Sequence, residues 1–182
     1  MSSAMYYIAI LAPGEVNEKI LQWKHFMRDR FGCIAALKSP AHITLISPFW
    51  MNKDFQFLLE NNLKEFSNNQ ESFLIELTDF GSFKPRVIFV HVKQSDHLTI
   101  LATALQNALL KNPLFSIKES IRQFHAHITI ANRDLHKNDF NTAWEYFKHK
   151  KYQASFPARG ITLMKHTGLQ WEPACTAVFP LV

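Results

Sequence analysis

The sequence predicts an α+β protein of two lobes, each a mostly antiparallel sheet with outer helices, related by a pseudo-twofold about a central cleft. Three observations predict it. Short apolar runs of strand type alternate with stripes of helical spacing throughout the 182 residues. Their order is strand-helix-strand-helix, then strand-strand-helix-strand-helix, then closing strands. Finally, each half carries a tetrad of the same pattern, His-apolar-Thr-apolar: His42-Ile43-Thr44-Leu45 and His127-Ile128-Thr129-Ile130. No low-complexity linker divides the chain, so residues 1–182 read as one domain of two lobes.

Each element has its own signal. Tyr6 to Leu11 is a buried strand stopped by Pro13-Gly14. Val16, Ile20, Trp23 and Met27 form one helical stripe, with Gly32 placed as its stop. Ala41 to Ile46 is the first histidine strand, and Pro48 is expected to end it. Asp54 is the expected cap of a second helix, striped by Phe55, Leu58 or Leu59, Leu63 and Phe66. Phe73–Phe80 and Val87–Val92 are strands, and the Gly81–Arg86 connector suits a hairpin. Leu98, Leu101, Leu105 and Leu109 stripe a third helix that Asn112-Pro113 breaks. Phe124 to Ala131 is the second histidine strand. Asp139 to Phe147 is a short helix, and strands over 161–164 and 177–182 close the chain.

Composition narrows the function. The chain is 47% hydrophobic and carries sixteen Phe, enough for a core and for part of a cleft wall. Lys+Arg number 20 against Asp+Glu 15, a mild basic excess that suits an anionic ligand such as a phosphate ester or RNA. Cys33 and Cys175 form no disulfide framework or zinc knuckle, which points to a reducing cytoplasm. The apolar run near the N-terminus is too short for a membrane span and has no basic segment before it. The expectation is a cytoplasmic monomer without membrane contact.

The tetrads carry the chemistry. In a strand, His and Thr two positions apart share a face while the intervening apolar residues enter the core. Cleaving a phosphodiester needs a base for the attacking oxygen, an acid for the leaving oxygen and donors for the charged oxygens. Histidine serves either proton role because its unperturbed pKa lies near neutrality. Thr44 and Thr129 offer hydroxyls on stiff, β-branched side chains. His42 and His127 are therefore the candidate catalytic pair, with opposite roles that the residues alone leave unassigned. His125-Ala126-His127 also invites a metal, but no carboxylate stands at helpful spacing, so no metal or other cofactor is expected. Arg86 and Arg133 are candidates for phosphate or base contact, and Lys84 is expected to face solvent. Phe49, Trp50 and Phe83 adjoin the motifs and are candidates for stacking a base. Tyr6 and Tyr7 alternate faces, so at most one reaches the cleft.

The paired tetrads resemble the H-x-T-hydrophobic motifs of the 2H phosphoesterase superfamily, which includes the 2′-5′ RNA ligase and cyclic phosphodiesterase proteins. The opening Leu11-Ala12-Pro13 and the hairpin Phe83-Lys84-Pro85-Arg86-Val87-Ile88-Phe89-Val90 are similar to that family as well. One departure is Asn132, interposed between Ala131 and Arg133. The resemblance implies a bilobal fold that uses no metal. It implies opening of 2′,3′-cyclic phosphates on RNA ends or nucleotides, leaving 2′-phosphates. It also implies that His42 protonates the leaving oxygen and His127 activates water. Cleavage or joining of 2′-5′ linkages, an ADP-ribose-type cyclic phosphate, and a non-catalytic nucleotide-binding role are the alternatives. There is no nucleotide-binding lysine motif of the ATP-dependent kind, so any joining would be reversal of the cleavage.

Overall fold

The computed structural model describes residues 2–119 and 123–180. In chain order the strands and helices are β1 (Ser3–Leu11), α1 (Gly14–Phe31), β2 (His42–Asn52), α2 (Gln56–Ser67), β3 (Phe73–Phe83), β4 (Val87–Val92), α3 (Asp96–Leu110), β5 (His127–Ala131), α4 (Phe140–Phe147), β6 (Gln153–Ala158), β7 (Gly160–His166) and β8 (Trp171–Val178). They form two four-stranded sheets, ordered β2-β1-β7-β8 and β5-β4-β3-β6. All neighbouring strands are antiparallel. The expected α+β architecture is the observed one.

Local chemistry sets the element ends. Gly32 closes α1 in the left-handed region, φ 68°, where a Cβ is disfavoured. The Ser95 side chain caps α3 by accepting the Leu98 amide at 3.4 Å. The second helix begins later than its stripe suggests. Asn52, not Asp54, receives the first amide, and a 3-10 turn over Lys53–Phe55 precedes α2. Nor does Pro48 end β2. The pairing with β1 slips between Tyr6 and Ile8, so Ser47 and Pro48 sit in an exposed bulge on an edge strand, where no ladder amide is needed. The second histidine strand starts at His127 rather than Phe124, and the last strand lies over Trp171–Val178 rather than 177–182. Residues 181–182 lie outside those described.

The two halves exchange helices. α1 leaves the first sheet and packs on the second, with Trp23 edge-on to Phe80 and Tyr152 at 4.9 and 4.8 Å. α3 leaves the second sheet and packs beside β2 of the first. The unit β1-α1-β2-α2 is thus repeated as β4-α3-β5-α4. In each unit the histidine strand is the sheet edge and pairs with the strand before its helix. One continuous apolar core joins both sheets, built from residues such as Ile8, Ile43, Leu105, Ile130 and Leu163. The edges β2 and β5 meet, and this brings the tetrads together.

Candidate active site

The first tetrad opens β2. Ile43 and Leu45 are buried, while His42 and Thr44 lie half-buried on the opposite face. The His42 Nδ1–H donates to the Pro40 carbonyl at 2.7 Å. A proton held there in the neutral ring leaves Nε2 as the free basic nitrogen; this tautomer is assigned from the bonding. Ser39 Oγ and the Tyr7 hydroxyl stand 3.2 and 3.4 Å from the same Nδ1 and hydrogen-bond each other. Tyr7 tilts against the imidazole at 4.8 Å and is held from behind by the edge of Trp171 at 4.6 Å. Burial pushes the Tyr7 phenol up to about 12, so it stays neutral. Below the loop, Lys24 of α1 is almost wholly buried, and its Nζ donates to the Ser39 carbonyl at 2.8 Å. Burial brings this amine down to about 8. Burial also pushes His42 down to about 4, opposed by the Pro40 carbonyl and assisted by the charges of Lys24 and His127.

The second tetrad is built the same way from different surroundings. Ile128 and Ile130 are buried, and His127 and Thr129 share the half-buried face. The His127 Nδ1–H donates to the His125 carbonyl, again two residues back and again at 2.7 Å. The walls here are aromatic. Phe89 lies 5.0 Å from the imidazole, ring centre to ring centre, and Phe83 stands edge-on at 5.3 Å. Gly81, opposite Phe89 in the β3–β4 register, makes room for that ring, since a Cβ there would stand 2.5 Å from Phe89 Cζ. Burial lowers the His127 pKa, the His125 carbonyl opposes this, and the charge of His125 adds to the lowering.

The remaining candidates divide. Phe83 is 40% exposed beside His127. Arg86 and Arg133 are both exposed and meet past the end of β5, where Arg86 Nη1 donates to the Arg133 carbonyl at 3.4 Å. Lys84 faces solvent. Phe49 does not reach the cleft. Beyond the bulge it pairs with Tyr6 of β1, and it is buried on the core face with that ring 6.1 Å away. Trp50 is exposed but far along β2 from the tetrad. Of the two tyrosines, Tyr7 reaches His42, and Tyr6 is buried with its hydroxyl donating to Gln56.

Four neighbours escaped the sequence reading. Ser39 and Lys24 support His42. His91 faces His127 in register, and its ring lies 5.8 Å from that of His125. Asp134 reaches back from the loop after β5, and its Oδ2 accepts the Ile34 and Ala35 amides at 2.7 and 2.6 Å. That bond pins the 3-10 turn Ala35–Lys38, just ahead of Ser39. Lys24 alone left a signal in the sequence, because it falls four residues after Ile20 on the buried stripe of α1. Among the described residues, no three His, Cys, Asp or Glu side chains converge as a metal ion would require. Nor is any described helix long and apolar enough to cross a membrane.

Two imidazoles of equal tautomer, each beside a threonine, stand on edge strands that meet, and the charge of one is felt by the other. Solved structures share this fold. The chain is similar to Escherichia coli LigT, solved with 3′-AMP, at TM-score 0.74 and 20% identity over 99% of this chain and 100% of that one. It is similar to a phosphoesterase crystal structure at 0.71 and 22%, covering 99% and 100%. It is also similar to TT0787 of Thermus thermophilus at 0.66 and 17%, covering 96% and 97%. In sequence, no curated protein matches the chain. A family model does match, over residues 13–170, and this stretch contains both tetrads, the hairpin and the whole of both repeated units except β1: the chain belongs to the 2′-5′ RNA ligase superfamily, among the 2H phosphoesterases.

Proposed function

We propose that the protein opens 2′,3′-cyclic phosphates of RNA ends or nucleotides to 2′-phosphates without a metal, with His42 and His127 as the proton-transfer pair. The observation that carries this reading is the duplicated Nδ1 bond, to Pro40 and to His125, which makes Nε2 the unprotonated nitrogen of each neutral ring on adjoining strands. In the reaction one neutral imidazole takes a proton from water as its oxygen bonds to phosphorus. The P–O3′ bond breaks, and the other imidazole, protonated, gives its proton to O3′. Thr44 and Thr129 donate to the non-bridging oxygens. Phe83 offers an exposed ring for the base, and Arg86 and Arg133 offer charge for a flanking phosphate. The mild basic excess and the nucleotides bound by LigT, namely 3′-AMP, ATP and NADP+, support a nucleotide substrate.

The test is hydrolysis of 2′,3′-cyclic nucleotides and cyclic-phosphate RNA ends in EDTA. His42→Ala and His127→Ala are each expected to lose roughly 10²–10⁴ in kcat/KM. Wild-type activity should be bell-shaped in pH, because one ring must be neutral and the other charged. Equal rates in all three proteins, or strict metal dependence, overturns the reading. Binding of the nucleotide without any turnover favours a non-catalytic module of the same fold.

A further inference from the structure

The two faces of the first sheet are covered differently. One face carries the main core. On the other, Tyr7, Ala9 and Met164 make a separate small apolar cluster, with Leu11 and Trp171 packed against it. All five lie on strands, and among the described residues no helix contributes to the cluster. The solvent side of an antiparallel sheet is ordinarily polar, so an aromatic patch beside the paired histidines marks a place for a ligand. The patch starts at His42. From its imidazole the rings of Tyr7, Trp171 and His166 follow one another at centroid distances of 4.8, 4.6 and 4.9 Å. Tyr7 is buried, and the run reaches solvent at Trp171 and His166, both partly exposed. The turn between β7 and β8 holds these outer rings. There the Thr167 amide donates to the Gln170 carbonyl at 2.9 Å, and Gly168 sits at φ 100°, where a side chain is strained. The Gly168 amide donates to His166 Nδ1 at 3.1 Å. In the neutral ring this puts the proton on Nε2, the reverse of the assignment at His42 and His127. His166 is thus held as a donor at the rim.

We propose that Trp171 and His166 form a second nucleobase subsite on the His42 side of the cleft: Trp171 stacks the base, and the Nε2–H of His166 donates to an acceptor on it. This rests on the phosphodiesterase reading and narrows its substrate to the cyclic-phosphate end of an oligoribonucleotide. Phe83 beside His127 offers a ring for one base, and Trp171 offers a second on the other lobe. A free mononucleotide has one base and leaves one of these rings bare. Every base has a π-face, so such a subsite reads the presence of a neighbouring base and not its identity. Leu169, 81% exposed at the tip of the same turn, extends the apolar rim. A Trp171 that served only to cover Tyr7 would need neither a π-face nor an oriented donor next to it.

The experiment compares two substrates in each protein: a diribonucleotide ending in a 2′,3′-cyclic phosphate, and the same molecule with the base of its first nucleotide removed. Both carry the same phosphates, so contacts of Arg86 and Arg133 cancel in the ratio of their kcat/KM values. Any disturbance that reaches His42 through Tyr7 cancels as well. Wild type should favour the complete dinucleotide by roughly five- to a hundredfold, the range that stacking one base on an aromatic ring supplies. Trp171→Leu keeps an apolar cover over Tyr7 and loses the π-face, and its ratio should fall towards one. Trp171→Phe keeps a ring and should keep most of the preference. His166→Ala should lower the ratio by a smaller factor, and it decides the case if Trp171→Leu does not fold. A wild-type ratio near one overturns the proposal, as does a ratio unchanged in Trp171→Leu or, where that variant is unfolded, in His166→Ala. If neither substrate is turned over, the phosphodiesterase reading fails, and calorimetric affinities of the two uncleaved dinucleotides judge the subsite instead. Equal affinities in wild type then overturn it, and a preference for the complete dinucleotide that is lost in Trp171→Leu upholds it.

Discussion

His42 sits in a polar wall and His127 in an aromatic one. Around His42 stand Tyr7, Ser39 and, behind them, Lys24, linked by hydrogen bonds. Around His127 stand Phe83, Phe89 and the rings of His125 and His91, linked by ring contacts. The carbonyl two residues back is nevertheless the same device on both sides. The backbone of a repeat therefore fixes the tautomer twice, while the side chains set how readily each ring takes up a proton.

The contrast breaks most visibly if packing is removed from the aromatic side. Phe89 is 3% exposed, and Phe89→Ala should cost about 3–5 kcal/mol in denaturant unfolding. Tyr7→Phe keeps the ring and deletes one hydroxyl, so it should cost about 0.5–1.5 kcal/mol. Comparable losses from the two variants would mean that the polar wall is held by its hydrogen bonds as firmly as the aromatic wall is by its contacts.

A smaller effect is expected where the halves are tied together. Asp134 is a cap supplied by the loop after one tetrad's strand to the turn that leads into the other tetrad. Asp134→Ala strands two amides and should destabilise by roughly 1–2 kcal/mol. Because the freed turn runs into Ser39 and Pro40, the ring signals of His42 should broaden or shift more than those of His127. Equal disturbance of both rings would show that Asp134 stabilises the fold without favouring either wall.

These two walls were unequally legible in the sequence. The tetrads were readable because strand alternation alone assigns His42, Thr44, His127 and Thr129 to faces. That alternation stops at Thr44: two register slips in the β1–β2 ladder bring Ile46 and Phe49 opposite Ile8 and Tyr6 in the core, so the burial of Phe49 came from bulges that the alternation does not encode. The aromatic wall was half readable. Phe83 sits in the hairpin, but Phe89 and His91 come to His127 through the β4–β5 register, which a single strand's pattern does not encode. The polar wall was least readable. Ser39 and Asp134 act through loop geometry, and their periodicity carries no signal. The exchange of α1 and α3 between sheets was equally hidden, since both amphipathic stripes fit either sheet.

The smallest effect separates the walls by pH. His42 is held at about 4 when folded against 6.5 for the free side chain, so between these values the unfolded chain binds more protons. Stability therefore falls as pH drops from 6.5 towards 4. His127 is also lowered and contributes in the same direction. Lys24 acts likewise at higher pH. Its amine titrates near 8 when folded and 10.5 when free, so stability should rise with pH across that window. His42→Gln should flatten the acid side of the stability curve and leave the alkaline rise intact. Lys24→Met should remove the alkaline rise and lessen the acid slope, because the charge that helps hold His42 down is gone. Urea unfolding at fixed steps from pH 4 to 10 reads all three curves. An alkaline rise that survives in Lys24→Met would mean that the amine is hydrated in solution, and the polar wall would then lack the buried charge that distinguishes it.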